Sequence, residues 1–146
     1  MSKNGSNPIQ KYEPKVLERD WGTEAFICET PEYLVKILSM KAGTRGGLQR
    51  HIEKKESFYL MSGEAWVESD DGTGKIVGVY MYPGETFDIP PRSVHRVEAI
   101  TDCVFIEGST PHYDDRYHAE AEYGFTTETG GLPSTWELVD GEYVRV

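Results

Sequence analysis

Four side chains have the types and spacing to hold a metal ion: Gln49, His51, Glu56 and His95. The first three fall in Gly47-Leu48-Gln49-Arg50-His51-Ile52-Glu53-Lys54-Lys55-Glu56, with Gly63 following six residues after Ser57 begins the next run. In an extended segment, side chains two apart share a face, so Gln49 and His51 point the same way and can grip one ion, with Glu56 returning from the neighbouring strand. His95 ends a second run, Gly84-Glu85-Thr86-Phe87-Asp88-Ile89-Pro90-Pro91-Arg92-Ser93-Val94-His95, where a glycine turn, a strand and a proline corner deliver one imidazole to complete the set. Two imidazole nitrogens, a carboxylate and an amide oxygen suit zinc, manganese or iron, and also cobalt or nickel; without thiolates the choice of ion stays open. The competing reading is a barrel that keeps the same residues as a hydrogen-bonded polar cluster.

The elements that must position these residues are strands. From Ala25 onward, segments rich in Val, Ile, Phe and Tyr recur between turn clusters such as Asp70-Asp71-Gly72, Tyr82-Pro83-Gly84 and Pro90-Pro91. The expected strands are Ala25–Glu29, Tyr33–Met40, Ser57–Met61, Glu64–Ser69, Lys75–Met81, Thr86–Ile89, Arg96–Ile100 and Cys103–Glu107. No window in this region has the apolar spacing of a long amphipathic helix. Eight short strands imply an all-β, antiparallel barrel or jelly roll. Residues 1–18 read as a flexible arm, mobile at least to Pro14, residues 19–124 as the barrel, and 125–146 as a C-terminal extension. Within that extension Thr126 to Gly131 reads as flexible. Asp140-Gly141 between alternating residues predicts a hairpin that packs Trp136 and Tyr143 on the barrel or on a second subunit.

At 146 residues with a net charge of −10, the chain has the size of one domain. Its acidity argues against nucleic acid and anionic membrane surfaces, leaving a small dissolved partner. No run is long and apolar enough to span a membrane and the first residues are polar, so the expected location is cytoplasmic. Cys28 and Cys103 read as isolated thiols.

Together the two metal-bearing runs resemble the paired motifs of the cupin superfamily. The first motif matches in spacing, with Gln49 in place of the usual first histidine. The second matches at Gly84, Pro90 and His95, while Arg92 stands where the family has Gly and Ala99 where it has Asn. A narrower resemblance, carried by Leu48-Gln49-x-His51, Glu56, Ser62-Gly63, Pro83-Gly84-Glu85, Ile89-Pro90-Pro91 and His95-Arg96, is to the cupin domain of type II mannose-6-phosphate isomerases. In that family a Gln replaces the first motif histidine. Further echoes are Trp21-Gly22, Ile106 to Ser109, Asp114-Asp115-Arg116 and Glu122-Tyr123-Gly124. The resemblance implies a cupin double-stranded β-helix and aldose–ketose isomerisation of a sugar or sugar phosphate through a metal-stabilised enediolate. The alternatives are an iron-dependent oxygenase of a small substrate and a sugar-binding module without catalysis.

Around the metal set, Arg45 and Lys54 are expected at the mouth, where they could hold an anionic group of the substrate. Glu107 is the leading candidate for the base, against a rim carboxylate paired with an arginine. Strand parity turns Tyr59 away from the metal. His112 and His118 read as surface histidines, and Asp114, Asp115 and Arg116 as a capping or ion-paired turn. Edge strands and the hairpin favour a homodimer.

Overall fold

A computed structural model describes residues 4–127 and 131–146. Among these residues thirteen strands and one 3-10 turn follow in order: β1 Lys15–Arg19, β2 Gly22–Glu29, β3 Leu34–Met40, β4 Gln49–Arg50, β5 Glu56–Ser62, β6 Ala65–Asp70, β7 Ile76–Met81, β8 Thr86–Ile89, β9 His95–Ala99, β10 Cys103–Ser109, β11 Tyr117–His118, the turn Glu120–Tyr123, β12 Trp136–Val139 and β13 Glu142–Arg145. All pairings are antiparallel. One sheet runs β1-β2-β3-β10-β5-β8, the facing one β11-β4-β9-β6-β7, and β12-β13 form a separate hairpin.

Strand alternation builds the interior. In β5, Glu56, Phe58 and Leu60 are buried while Tyr59 is exposed; in β10, Cys103, Phe105, Glu107 and Ser109 are buried. The apolar end of the barrel is packed by Phe58, Leu60, Val67, Met81, Ile89 and Phe105, with Phe58 against Phe87 and edge-on to Phe105. The other end is polar, and the metal candidates lie there. A second small cluster, Leu48, Val94 and Ala119, packs outside the small sheet.

The eight expected strands are all present, but three were not expected. Lys15–Arg19, whose first four residues read from sequence as the end of the N-terminal arm, forms β1: Val16 and Leu17 pair with Ala25 and Glu24 of β2, so the strand begins immediately after Pro14. The two-residue strands β4 and β11 are too short to leave an alternating pattern. The stretch Thr126 to Gly131 includes residues 128–130, which lie outside the described residues. The C-terminal hairpin turns at Asp140 and Gly141, both at positive φ (50° and 80°), as a two-residue turn of this hand requires.

Two glycines of the motifs are explained by backbone shape. Gly63 has φ of 93°, and a Cβ there would lie 2.2 Å from the Asp102 carbonyl oxygen. Gly84 also has positive φ, at 94°. Arg92, at the position where the second motif has Gly, sits at φ of 70°, the left-handed region that costs a side-chain-bearing residue energy. Its N–H donates to the His51 carbonyl at 2.6 Å, and its guanidinium covers the Tyr143 ring.

Candidate metal centre

Three elements meet at the polar end. His95 opens β9 in the small sheet, Glu56 opens β5 in the large sheet, and His51 lies just after β4 in the loop that joins the sheets. His51 Nε2 and His95 Nε2 are each 3.3 Å from Glu56 Oε1, and the three donor groups lie within 4.8 Å of one another. All three residues are buried.

The tautomers follow from the outer nitrogens. His51 Nδ1 lies 2.6 Å from the Asp115 carbonyl oxygen and His95 Nδ1 2.9 Å from that of Ser93, and a carbonyl can only accept, so each Nδ1 carries a proton. Burial pushes the His51 pKa down, favouring the neutral ring. Both Nε2 lone pairs then aim at a carboxylate oxygen, three acceptors with no proton among them. A cation resolves that arrangement, and the donor set of two imidazoles and a carboxylate fits a divalent transition ion.

Gln49 pairs directly with His95 in the β4–β9 ladder, which puts the two side chains on one face of the sheet. It is therefore placed beside the triad, as the fourth candidate.

A chain of alternating charges runs from the triad into the barrel. Lys54 Nζ lies 2.8 Å from Glu56 Oε2, while Lys36 Nζ lies 3.6 Å from Glu107 Oε2 and 3.9 Å from Glu24 Oε1. Burial would raise the Glu56 pKa, but hydrogen bonds from the two imidazoles when they are protonated, together with the Lys54 charge, outweigh it and place it well below the ordinary carboxylate range. Glu107 is pushed up to about 7, first by burial and then by the Glu56 charge. Burial alone would lower the Lys54 pKa; Glu107 and Glu56 outweigh it and the net shift is upward.

Two placements differ from the sequence reading. Lys54 is not at the mouth: it is 7% exposed and committed to Glu56. Arg45 is exposed, and its backbone bridges Glu98, which alternates with the inward His95, Val97 and Ala99 of β9. Arg45 thus stands on the outer side of the sheet, away from the triad. Glu107 is no rim carboxylate; it faces inward, level with Phe58, one layer deeper than Glu56. Tyr59 does face away.

Sequence reasoning missed the organising role of Asp115. Its carboxylate accepts from the backbone N–H of Ile52, Glu53 and Lys54, each at 2.7 Å, and from Trp136 Nε1 at 2.8 Å. It caps a turn as expected of this residue type, but the turn is the His51–Glu56 loop, some sixty residues away in sequence. Because its own carbonyl orients His51, one residue fixes both the loop and the imidazole. The hairpin supports the same loop: Trp136 reaches Asp115, Tyr143 stacks edge-on to Tyr117 and takes a hydrogen bond from Arg50, and Arg145 donates to the Asp114 carbonyl. Lys36 carried a legible signal, since it shares strand parity with Leu34, Leu38 and Met40.

With this geometry in place, comparison with known proteins decides the family. Residues 6–107 match the family described as mannose-6-phosphate isomerase C-terminal. The chain belongs to that family. A curated relative, mannose-1-phosphate guanylyltransferase RfbM of Salmonella typhimurium, is 28% identical over 134 residues, 88% of this chain and 26% of that protein. The chain thus spans about a quarter of that relative's length. Among solved structures, the capsular polysaccharide assembling protein CapF of Staphylococcus aureus superposes with a TM-score of 0.65 at 25% identity, covering 74% of this chain and 34% of CapF. An RmlC-like cupin from Shewanella frigidimarina superposes with a TM-score of 0.57 at 18% identity, over 69% of this chain and 86% of that one. The fold of this family member is therefore a cupin barrel.

Proposed function

We propose that this cupin is a metal-dependent isomerase that interconverts an aldose and a ketose, as free sugars or sugar phosphates. The observation that carries the reading is the convergence of the His51 and His95 Nε2 lone pairs on Glu56 Oε1, with both Nδ1 protons tied to backbone carbonyls. Membership of the mannose-6-phosphate isomerase C-terminal family supports the sugar substrate, as do the names of RfbM and CapF. A divalent ion held by Gln49, His51, Glu56 and His95 would supply Lewis acidity toward a carbonyl and its neighbouring hydroxyl.

The chain's own residues divide the remaining work. Lys54 binds the second oxygen of Glu56 and leaves Oε1 free to face the imidazoles. Gln49 would contribute a neutral oxygen, leaving a bound ion more electron-poor than a carboxylate would. Glu107 is assigned the proton transfer between adjacent carbons: Lys36 balances its charge, and its Oε2 accepts no hydrogen bond among the described residues.

Solvent deuterium incorporation next to the carbonyl, screened over aldoses, ketoses and their phosphates with metal restored, tests the proposal. Exchange in at least one sugar, reduced a hundredfold or more by Glu107→Gln, is expected. No exchange across the panel rejects the isomerase. A second reading, a sugar-binding module without catalysis, is favoured by the burial of Glu107, at 8% exposure, which leaves a substrate carbon little room beside it. That module would retain sugar affinity in Glu107→Gln.

A further inference from the structure

One buried carboxylate takes no part in the centre described above. Glu120, at the start of the 3-10 turn, is fully buried, and neither of its oxygens has a hydrogen-bond partner among the described residues. A carboxylate taken out of water without a donor is strongly disfavoured, so its charge must be offset by a cation or removed by a proton.

Its neighbour is His118. His118 Nε2 lies 2.7 Å from the Leu132 carbonyl oxygen and so carries the proton, which leaves Nδ1 as the lone-pair nitrogen. That Nδ1 is itself buried without a hydrogen-bond partner among the described residues and lies 4.0 Å from Glu120 Oε1. The gap between them is kept open by Gly47. A Cβ on Gly47 would come 2.9 Å from Glu120 Oε1 and 3.4 Å from His118 Nδ1, so any larger residue would project between the two.

The register sets this pair beside the first centre without merging the two. His118 pairs with Gln49 and Gln49 with His95, so the three stand in one row on one face of the small sheet. Two strand spacings, roughly 10 Å, separate His118 from His95.

We propose that His118 Nδ1 and the Glu120 carboxylate form a second cation site, seated over Gly47, for a divalent transition ion such as zinc. Metal–nitrogen and metal–oxygen bonds of about 2.0 to 2.2 Å span the 4.0 Å separation with a bent angle at the ion. Imidazole with carboxylate is a donor pair such ions accept, and both carboxylate oxygens are available. Gln49 stands between the two centres, so occupation of one bears on the position of a residue assigned to the other.

Zinc titration of the full, metal-stripped chain, with the bound metal counted by elemental analysis after gel filtration, tests this directly. The wild type should bind two equivalents. Gly47→Ala, which fills the gap at a position of ordinary φ, and Glu120→Gln, which keeps the shape and removes the charge, should each weaken one equivalent at least tenfold and leave the other. His95→Ala should show the converse loss. If the wild type binds a single equivalent that His95→Ala abolishes, the pair is bridged by water or shares a proton and the proposal fails. It fails equally if a second equivalent survives both Gly47→Ala and Glu120→Gln, for instance on the His112–Glu53 surface pair. One equivalent that resists His95→Ala but is lost in Glu120→Gln would uphold this site and reject the first.

Discussion

Replacing Asp115 with Asn keeps the shape of the side chain and changes one oxygen into an amide nitrogen. In the native protein each carboxylate oxygen accepts two hydrogen bonds: Oδ1 from Ile52 N–H and Trp136 Nε1–H, Oδ2 from Glu53 and Lys54 N–H. Whichever way the amide is turned, its NH2 group faces two donors. Two bonds to a buried charge, each contributing about 1.5–3 kcal/mol, are therefore lost, and local relaxation brings the expected cost to roughly 3 kcal/mol. The loop that shifts is the one between His51 and Glu56, and outer-shell changes of this kind weaken metal binding about 10- to 100-fold. Urea unfolding of the metal-free protein gives the first quantity, and competition with a chromophoric chelator gives the second. Trp136→Phe, which removes one donor only, should show a smaller fraction of both effects. The pH dependence provides a further check. Burial raises the Asp115 pKa, but its four donors outweigh that and the net shift is downward. Its stabilisation is thus present above the unfolded value of about 3.9 and lost as pH falls through the lower folded value, a dependence absent from Asp115→Asn. An Asn variant with metal affinity within threefold of wild type and a stability loss under about 1 kcal/mol would show that Asp115 does not organise the loop.

Three other outcomes are expected. His95→Ala should weaken zinc at the triad at least tenfold, read by chelator competition, while far-ultraviolet circular dichroism stays that of the folded barrel, since the apolar core lies at the other end. Gly63→Ala combines a positive φ with a Cβ 2.2 Å from the Asp102 carbonyl oxygen and should cost about 3–5 kcal/mol in urea, whereas Gly72→Ala, at φ of 95° with open space around it, should cost about 1–2 kcal/mol. The exposed apolar residues Val77, Val79 and Tyr80 on the edge strand β7 support a homodimer; light scattering at tens of micromolar should give twice the chain mass, and a monomer would count against it.

What could be read from the sequence followed from local rules. Period-two alternation exposed the inward face of β5, hence Glu56 and the outward Tyr59, and the Asp140-Gly141 turn announced its hairpin. The motif spacing placed Gln49 and His95 together, and they pair in the β4–β9 ladder. The long-range contacts were not. Asp115 looks like any turn aspartate until the fold brings residues 52–54 to its carboxylate. Lys54 sits among polar neighbours and reads as solvated, yet the curl of its loop turns it onto Glu56. Arg45 lies close to the motif in sequence but pairs with an outward position of β9, a register no local pattern encodes. Glu120 carries no local signal for the same reason: its burial arises from the docking of β11 on β4.

Anomalous diffraction at the zinc edge, from crystals of the full chain supplied with one equivalent of zinc, tests the central claim most directly. One strong peak is expected, bonded at about 2.0–2.2 Å to His51 Nε2, His95 Nε2 and a Glu56 carboxylate oxygen. A peak at surface His112 or at a cysteine, or no peak while the triad keeps its place, would contradict it.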